Sequence, residues 1–472
     1  MVNRFNKVLL LNAQYEKVKY APLIYAGLGY IAEALRQHHI EYDVIDMNLG
    51  YELKDVIKKI EDYKPDLIGL QILSLRYNYA YRIIKTLKER FPEIKIVAGG
   101  GHISLFREKV LKECPQIDYG VVLEGDQTIV DLCKAENIAD VKGLLYHNKN
   151  NVVYTGDRGF ITDLDNIPFP TYEKFELSKY PEFLIHVVSS RGCPYGCGFC
   201  PVEKSIGRRF RVRSAKNVVD ELEYWSKQGI NNFGFVDDNF SFYKERVIEI
   251  CDEIEKRNLK LRMILGNGIR ADKADYNLLK RMKEVGFYSI CFGVESANNH
   301  VLKNMGKAES IECVEEAIKN AVELGYIVGL FYVIGYPGET LKDLENSFKL
   351  ALKYPIGYAN FYNLMPFPET PLYKYLSENN FLLQPYENYL NRSSPLENIP
   401  CFITPEMGYD DRVKAFKLAK KVSNTIIKKR IAKRYAYLGS FAKVAGHIFV
   451  MEFVQNSFLR NKYLKKIMNK FK

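Results

Sequence analysis

The stretch RGCPYGCGFC, residues 191–200, brings Cys193, Cys197 and Cys200 onto one short segment. Their spacing is C-x3-C-x2-C, and the glycines between them let the backbone turn tightly. Three thiolates on one loop can bind three corners of a cuboidal iron–sulfur cluster, which leaves the fourth iron open to a small molecule. The loop therefore predicts an open iron–sulfur site.

A zinc site and a disulfide are the two alternatives for this loop. Structural zinc needs a fourth ligand, usually from a second C-x2-C or H-x3-H pair, and the sequence contains no such pair. A disulfide would leave the third cysteine unused. The other six of the nine cysteines are scattered along apolar patterns, which favours small core residues in a reducing compartment.

The region around the loop, residues 183–365, alternates short apolar runs with amphipathic helical patterns. Six such units predict a (β/α)6 partial TIM-type barrel, in which chemistry takes place at the carboxyl ends of the strands. The cysteine loop follows the first strand, and polar or glycine-rich groups follow later ones, so we expect all of them on one rim. The predicted strands are 183–190, 231–237, 259–266, 288–295, 327–335 and 358–364.

The rest of the chain divides by composition into three further regions. Residues 1–145 predict an α/β domain of the doubly wound, flavodoxin-like type, because short apolar runs alternate with helical patterns. Residues 146–182, rich in Asn, Gly, Asp and Pro, predict a linker with a short hairpin. Residues 366–472 predict a loop followed by a basic helical region. The predicted strands of the first domain are 7–12, 42–46, 66–72, 94–100 and 119–125.

A C-x3-C-x-aromatic-C loop after the first strand of a β/α barrel resembles that of the radical S-adenosylmethionine (radical SAM) enzymes. The resemblance implies a 4Fe-4S cluster whose open iron binds SAM, and an electron donor such as flavodoxin or ferredoxin. Reductive cleavage of SAM then gives a 5′-deoxyadenosyl radical that removes a hydrogen atom from the substrate. The implied cluster ligands are Cys193, Cys197 and Cys200, and the implied SAM-binding residues are Phe199, Asp237, Asp238, Arg270, Glu295 and Gly335.

Some of the implied SAM-binding residues have a second interpretation. Asp237 and Asp238 also fit a solvated turn or a helix cap before the following helical pattern. Glu295 also fits an ion pair in the core.

The first domain resembles the cobalamin-binding domain of one radical SAM subgroup, through GLGYIAEAL (27–35), VAGGGHIS (97–104) and LEGD (123–126). It departs from that pattern by lacking the D-x-H-x-x-G motif, so we expect no histidine ligand to cobalt from this domain. LEGD also stands where relatives often have GEGE. A tight turn is the alternative interpretation of the three glycines. The implied cobalamin-binding residues are Asn12, Ser74, Gly99, Gly100, Gly101, His102, Glu124 and Gly125.

The net charge of +11 is concentrated at the C-terminus. Residues 411–472 hold 17 Lys and Arg against 2 Asp and Glu, a net of +15, which leaves −4 for the remainder. Apolar residues at near-helical spacing (Ile427, Ile431, Tyr435 and Leu438, then Leu464, Ile467, Met468 and Phe471) accompany this charge. A basic amphipathic pattern suits an anionic membrane surface. Packing on the barrel and binding of nucleic acid are the alternatives, and we expect no nucleic acid because no recognised binding module is present.

The N-terminus lacks the apolar region of a signal peptide, and no apolar stretch is long enough to span a bilayer. We therefore expect a cytoplasmic protein that contacts the inner face of the membrane peripherally. The predicted function is cobalamin-dependent methyl transfer to an unactivated carbon of a lipid or polyisoprenoid-like substrate. The alternatives are a cobalamin-dependent radical SAM cyclase or rearrangement enzyme without methyl transfer, and a non-catalytic cobalamin or redox sensor.

Overall fold

A computed structural model describes residues 3–13, 23–180, 184–392 and 399–436 of the chain. These residues cluster into two compact units. We call them the front unit and the barrel unit. The front unit contains 3–13, 23–180, 201–211 and 390–392, and the barrel unit contains 184–200, 212–389 and 399–436.

The front unit is built on a seven-stranded sheet of order β2-β1-β3-β4-β5-β6-β7. The first five strands are parallel and helices connect them, while β6 and β7 form an antiparallel hairpin. Its elements are β1 (Lys7–Asn12), α1 (Ala26–Gln37), β2 (Glu41–Asp46), α2 (Leu53–Tyr63), β3 (Leu67–Gln71), α3 (Tyr77–Arg90), β4 (Lys95–Gly99), α4 (Gly101–Phe106), α5 (Glu108–Glu113), β5 (Tyr119–Val121), α6 (Asp126–Lys134), β6 (Leu144–Asn148) and β7 (Asn151–Tyr154). The order 2-1-3-4-5 confirms the flavodoxin-like fold class.

The strands of the front unit form where the sequence has unbroken apolar runs. In β1 the four residues 8–11 are almost completely buried, as expected for a central strand covered by helices on both faces. The last parallel strand, β5, is shorter than predicted and ends at Val121 instead of residue 125. The chain turns out of the sheet at Leu123, which has a φ of +63° and donates its N–H to Ser104 Oγ.

The barrel unit contains a six-stranded parallel sheet of order β15-β14-β13-β12-β11-β8. Apart from the short strands β9 and β10, the strands therefore follow one another in chain order, which confirms the predicted (β/α)6 part-barrel. The elements from β8 onward are β8 (Ile185–Val187), β9 (Ser190–Arg191), α7 (Val202–Ser205, in the front unit), β10 (Arg211–Val212), α8 (Ala215–Lys227), β11 (Asn232–Phe235), α9 (Lys244–Lys256), β12 (Arg262–Ile269), α10 (Tyr276–Glu284), β13 (Phe287–Glu295), α11 (Asn299–Asn304), α12 (Ile311–Glu323), β14 (Ile327–Ile334), α13 (Leu341–Lys353), β15 (Tyr358–Asn363), α14 (Pro371–Glu378), α15 (Tyr386–Arg392) and α16 (Tyr409–Arg434). Short 3-10 helices span Met47–Leu49, Ile138–Asp140, Leu164–Asn166, Leu177–Lys179 and Ala271–Lys273.

Local capping residues set where the barrel helices begin. Ser214, Asp275 and Ser310 each accept a backbone N–H in the first turn of the helix that follows. Thr340 and Asp343 form a reciprocal capping box at the start of α13. These side chains satisfy backbone donors that would otherwise have no partner, so each helix starts at a defined residue after its strand.

The first basic helix of the C-terminal region packs on the barrel. The helix α16 lies against β14, β15 and α13, and Ser423 Oγ donates to the carbonyl oxygen of Ala359 at 2.8 Å. Ile426 is buried and Ile427 is partly buried. Of the interpretations of the basic C-terminal pattern, packing on the barrel therefore applies to α16. The second apolar pattern, 464–471, and Leu438 lie outside the described residues. No described helix is long and apolar enough to cross a membrane.

A buried ion pair supports the start of the cysteine loop. Arg213 Nη1 donates to Glu221 Oε2 at 2.5 Å and to the carbonyl oxygen of Val188 at 3.1 Å. Both charged side chains are almost completely shielded from solvent. The pair therefore anchors the segment between β8 and β9 to the first turns of α8.

Replacing Glu221 by Ala should lower the free energy of unfolding by about 3–5 kcal/mol, because it leaves the Arg213 guanidinium buried without its carboxylate. Denaturant unfolding followed by circular dichroism measures this loss. Lys227→Ala on the same helix removes an exposed charge and should leave the unfolding curve unchanged. Equal curves for Glu221→Ala and the unmodified chain would contradict the anchoring role.

Candidate functional site

The three loop cysteines lie directly after the first strand of the barrel sheet. All three are of intermediate exposure, and none forms a disulfide within the described residues. Burial raises the pKa of Cys193 and of Cys197, although Lys307 and Arg270 act on the Cys197 pKa in the opposite direction. The loop thus combines shielded sulfur atoms with nearby positive charge, an environment that suits an anionic iron–sulfur cluster.

Backbone hydrogen bonds from distant segments hold this loop in place. Gly198 donates its N–H to the carbonyl oxygen of Met305 at 2.8 Å and accepts from the N–H of Leu372 at 2.9 Å. Within the loop, Cys200 N–H donates to the carbonyl oxygen of Cys197 at 3.0 Å. A Cβ on Gly198 would lie 2.6 Å from Tyr336 Oη, so only glycine fits at this position without a shift. The loop is therefore fixed by the barrel around it.

Arg270 contacts the cysteine loop through a tyrosine. Its guanidinium lies 3.7 Å from the ring centroid of Tyr195, the residue midway between Cys193 and Cys197. The same guanidinium donates to Asp272 Oδ1 at 3.0 Å and to the carbonyl oxygen of Ala308 at 2.8 Å. The structure therefore places this predicted SAM-binding residue over the loop, with several of its donors already engaged.

A buried lysine, which the sequence analysis missed, lies close to Cys197. Lys307 Nζ is 3.2 Å from Glu295 Oε1 and 3.3 Å from Glu309 Oε2, and it donates to the carbonyl oxygen of Gly293. Burial alone would lower the Lys307 pKa, but the two carboxylates outweigh it and the pKa is raised. Lys307 therefore stays protonated. Glu295 has a φ of +63°, in the left-handed region. Its ion pair with Lys307 agrees with the alternative interpretation of Glu295 as part of an ion pair in the core.

The two aspartates after β11 have different environments. Asp237 is completely buried and accepts hydrogen bonds from Ser189 N–H at 2.8 Å and from Ser190 Oγ at 2.7 Å. It therefore ties the end of β11 to the segment after β8. Asp238 accepts no hydrogen bond from the described residues. Its pKa is raised to about 6, mainly by burial and to a smaller extent by repulsion from Asp237.

Asn239, the next residue, has an unsatisfied side chain. It is 2% exposed, and among the described residues neither its amide nitrogen nor its amide oxygen has a hydrogen-bond partner. A buried amide without partners is uncommon, because each unpaired polar atom costs free energy. The Asp238–Asn239 pair thus offers a carboxylate and a free amide, a donor set that fits an amino-acid group such as that of SAM.

The remaining predicted SAM neighbours lie at the same rim. Gly335 follows β14 with a φ of +79°. The ring of Phe199 meets that of Tyr336 edge to face at 6.4 Å, so the loop aromatic contacts the residue after Gly335. Within the described residues, no three His, Cys, Asp or Glu side chains lie close enough to hold a single metal ion. A cuboidal cluster has a different requirement, because each thiolate binds its own iron.

The glycine-rich segment of the front unit lies at the carboxyl end of β4. Gly100 has a φ of +98°, and a Cβ there would lie 2.9 Å from the carbonyl oxygen of Ile72. This glycine is required by the backbone turn itself. A Cβ on Gly99 or Gly101 would make an ordinary van der Waals contact, 3.8 Å from Val121 Cβ or 3.9 Å from Ser205 Cβ, so the space at these two positions does not itself require glycine.

Three predicted cobalamin-binding side chains already have protein partners. Asn12 Nδ2 donates to Asp46 Oδ1 at 2.9 Å, and Glu124 pairs with Arg211 at 2.8 Å. His102 is stacked on Tyr77 with ring centroids 4.3 Å apart. Burial lowers the pKa of His102 to about 3, so its ring is neutral.

The other two predicted cobalamin-binding residues lie beside the strand ends. Ser74 lies in the turn after β3, and Gly125 precedes α6. The roles of all the cofactor-binding residues stay predictions.

Comparison with known proteins supports the assignment of both predicted α/β domains. A family model described as the radical SAM superfamily matches residues 187–351, and one described as a B12 binding domain matches residues 21–133. The uncharacterized methyltransferase PH0819 of Pyrococcus horikoshii is 32% identical over 76% of this chain and 79% of that protein. The anaerobic magnesium-protoporphyrin IX monomethyl ester cyclase of Rubrivivax gelatinosus is 30% identical over 68% of this chain, which spans 60% of the cyclase.

A solved structure shares the fold. The cobalamin-dependent SAM radical enzyme OxsB, with aqua-cobalamin and SAM bound, superimposes with a TM-score of 0.77 and 17% identity over 99% of this chain and 75% of that chain. These findings confirm the resemblance drawn from the sequence. They also confirm the enzyme class and the predicted cofactors, namely a 4Fe-4S cluster, SAM and cobalamin.

Replacing Gly198 by Ala should reduce the iron and sulfide bound per chain after anaerobic reconstitution, because the new Cβ overlaps Tyr336 Oη. Overpacking of this kind typically costs about 1–3 kcal/mol. Gly266→Ala, where a Cβ meets nothing within 4 Å, is the matched control and should bind iron normally.

The double variant Gly198→Ala/Tyr336→Phe removes the overlapping hydroxyl and should recover much of the lost iron. Equal iron contents for Gly198→Ala and Gly266→Ala would show that the Tyr336 contact does not constrain the loop.

Proposed function

Because the chain belongs to the radical SAM superfamily and carries a B12 binding domain, we propose that it transfers a methyl group to an unactivated carbon of a lipid or polyisoprenoid-like substrate. The observation that carries the proposal is the cysteine loop at the carboxyl end of the first barrel strand, in a chain whose front unit has the flavodoxin-like fold. When bound, the cluster and SAM supply the radical that activates the substrate, and cobalamin supplies the methyl group. A small donor such as flavodoxin or ferredoxin supplies the electrons.

In this proposal the protein's own residues bind and orient the cofactors. Cys193, Cys197 and Cys200 provide the three thiolates. Asp238, at the rim, would attract the positively charged amino group of SAM, and the buried amide of Asn239 would provide a hydrogen-bond partner for the same molecule. These contacts would hold bound SAM in one orientation, which is the positioning that cofactor chemistry requires of a protein.

The cations near the loop also have an electrostatic role in this proposal. Lys307 and Arg270 both lower the Cys197 pKa and so favour its thiolate form, while Glu295 raises this pKa. Positive charge fixed beside the loop stabilises the negative charge of three thiolates and of the reduced cluster. The ion pairs of Lys307 with Glu295 and Glu309 hold this charge in place without a solvent-exposed side chain.

The second candidate function is cyclisation or rearrangement without methyl transfer. It is favoured by the 30% identity to the magnesium-protoporphyrin IX monomethyl ester cyclase. Methyl transfer is supported by the relative from Pyrococcus horikoshii, which matches more of both chains and is named a methyltransferase. The two functions differ in whether the methyl group of SAM reaches the product.

Anaerobic reaction of the reconstituted protein with cobalamin, reductant, methyl-labelled SAM and host lipid extract should give 5′-deoxyadenosine and a labelled lipid, both detected by mass spectrometry. Cys200→Ala should abolish both products, because it removes one of three cluster ligands. Cys313→Ala, a partly exposed cysteine outside the loop, is the control and should retain them.

The outcomes of this experiment separate the candidate functions. Deoxyadenosine without any labelled product would refute lipid methylation and favour the cyclase function or a different substrate. Undiminished deoxyadenosine formation by Cys200→Ala would refute the cluster assignment.

The lipid-like substrate is supported by the basic charge of the C-terminus. Because α16 packs on the barrel, the proposed contact with membranes rests on the lysines beyond residue 436. Four of these, Lys462, Lys465, Lys466 and Lys470, share one short basic segment. A lysine near an anionic surface contributes about 1 kcal/mol to binding, so four of them can hold a protein reversibly on a bilayer.

Flotation with liposomes containing anionic lipid should recover the full chain with the vesicles, and neutral liposomes should not. Replacing the four lysines by Gln should lower the floated fraction at least about tenfold, since about 1 kcal/mol is lost per lysine. The control replaces four highly exposed lysines of the described chain, Lys54, Lys227, Lys256 and Lys374, and should float normally. Failure of the unmodified chain to float would refute membrane contact.

A further inference from the structure

The first turn of α16 carries a completely buried arginine. The side chain of Arg412 has no exposed surface, and its guanidinium lies 3.9 Å from the ring centroid of Phe402. Its Nη2 donates to the carbonyl oxygen of Gly335 at 2.7 Å, and its Nε donates to that of Met407 at 3.3 Å. In the sequence, Arg412 is one of the 17 Lys and Arg residues of the basic C-terminal region.

Gly335 is held from both sides of its backbone. Its carbonyl oxygen accepts from Arg412, while its N–H donates to Glu339 Oε2 at 2.7 Å. The other oxygen of Glu339 accepts from Ser296 Oγ at 2.9 Å, directly after Glu295 at the end of β13. A Cβ on Gly335 would overlap the Arg412 guanidinium, so the glycine and the arginine are matched to each other. The network therefore connects the ends of β13 and β14 to α16.

The residue after Gly335 transmits this contact to the cysteine loop. Tyr336 Oη lies against Gly198, where a Cβ would come within 2.6 Å, and the ring of Tyr336 meets that of Phe199 edge to face. Any shift of Gly335 would move Tyr336, and with it the surface on which the loop rests. Arg412 therefore lies two contacts away from the predicted cluster ligands.

Stability alone gives a weak reason for this arrangement. Burial removes a guanidinium from water at a large cost, and an apolar side chain of similar volume is often equally stable in such a place. Burial lowers the pKa of Arg412 to about 10 and raises that of Glu339 to about 7. What an apolar residue cannot supply is a rigid planar donor group aimed at one carbonyl oxygen.

We propose that Arg412 is a positioning residue of the SAM site, which holds Gly335 and Tyr336 in the conformation that SAM and the cluster loop require. The inference rests on the proposed use of SAM and on Gly335 being the SAM neighbour that the resemblance implies. In this proposal, α16 is part of the cofactor site through Arg412.

The test uses the full-length chain, reconstituted with its cluster and reduced, and follows the electron paramagnetic resonance spectrum of the cluster during titration with SAM. Arg412→Met should raise the half-saturating SAM concentration at least about tenfold, the effect of losing one hydrogen bond from a charged donor. Lys414→Met removes a cation from an exposed residue on the same helix and should leave the half-saturation unchanged.

Arg412→Lys keeps the charge without the planar group and should recover the affinity only in part. Glu339 in the Met variant can take up a proton, so this variant does not leave a buried unpaired charge. If Arg412→Met lowers stability while the cluster-loaded protein binds SAM as the unmodified chain does, the residue is merely structural and the proposal is overturned.

This titration is independent of substrate and of methyl transfer. An unmodified chain that binds SAM at its cluster but never labels a lipid would refute the proposed function and leave the role of Arg412 to be decided by the variants. Identical half-saturation in Arg412→Met and Lys414→Met would refute the role of Arg412 whatever the product of the reaction.

Discussion

The parallel direction of the six barrel strands is the constraint on which the site depends. In a parallel sheet every strand ends at the same edge, so whatever follows each strand meets its neighbours there. The strands also lie in chain order, and the cysteine loop, Asp238, Arg270, Glu295 and Gly335 therefore follow successive strands. No single loop carries the whole site. Its parts come from five separate segments that the sheet brings together.

The cysteine loop illustrates how far such a site depends on distant residues. Within the loop, the Cys200 N–H donates to the carbonyl oxygen of Cys197, and a backbone hydrogen bond from Tyr195 reaches Cys193. Further support comes from Met305, Leu372 and Arg270, each at least 70 positions away in the sequence. A cluster needs three thiolates at fixed positions, and a glycine-rich segment alone would be too mobile to supply them. The barrel supplies the rigidity, and the glycines allow the close contacts through which it acts.

The sequence predicted the fold well and the partners of individual side chains poorly, for one physical reason. Unbroken apolar runs identify buried strands locally, so each of the eleven predicted parallel strands overlaps a strand of the structure, although β5 and β8 are shorter than predicted. Hydrogen-bond partners are set by packing between distant segments. Asp237 is tied to Ser189, and Glu124 to Arg211, which no local pattern indicates. Lys307 was missed because a lysine in a polar segment is usually solvated.

The burial of Arg412 means that not every cation of the C-terminal region is available to a membrane or another partner. A net charge counts every cation equally, but a guanidinium buried against Phe402 and Gly335 cannot act on a membrane or on any other partner. Arg430 on the same helix is also largely shielded, and burial lowers its pKa. Part of the positive charge of this region is therefore used inside the barrel unit. Through Arg412, a helix that carries much of this basic charge donates a hydrogen bond to the carbonyl oxygen of Gly335, at the rim where the cysteine loop lies.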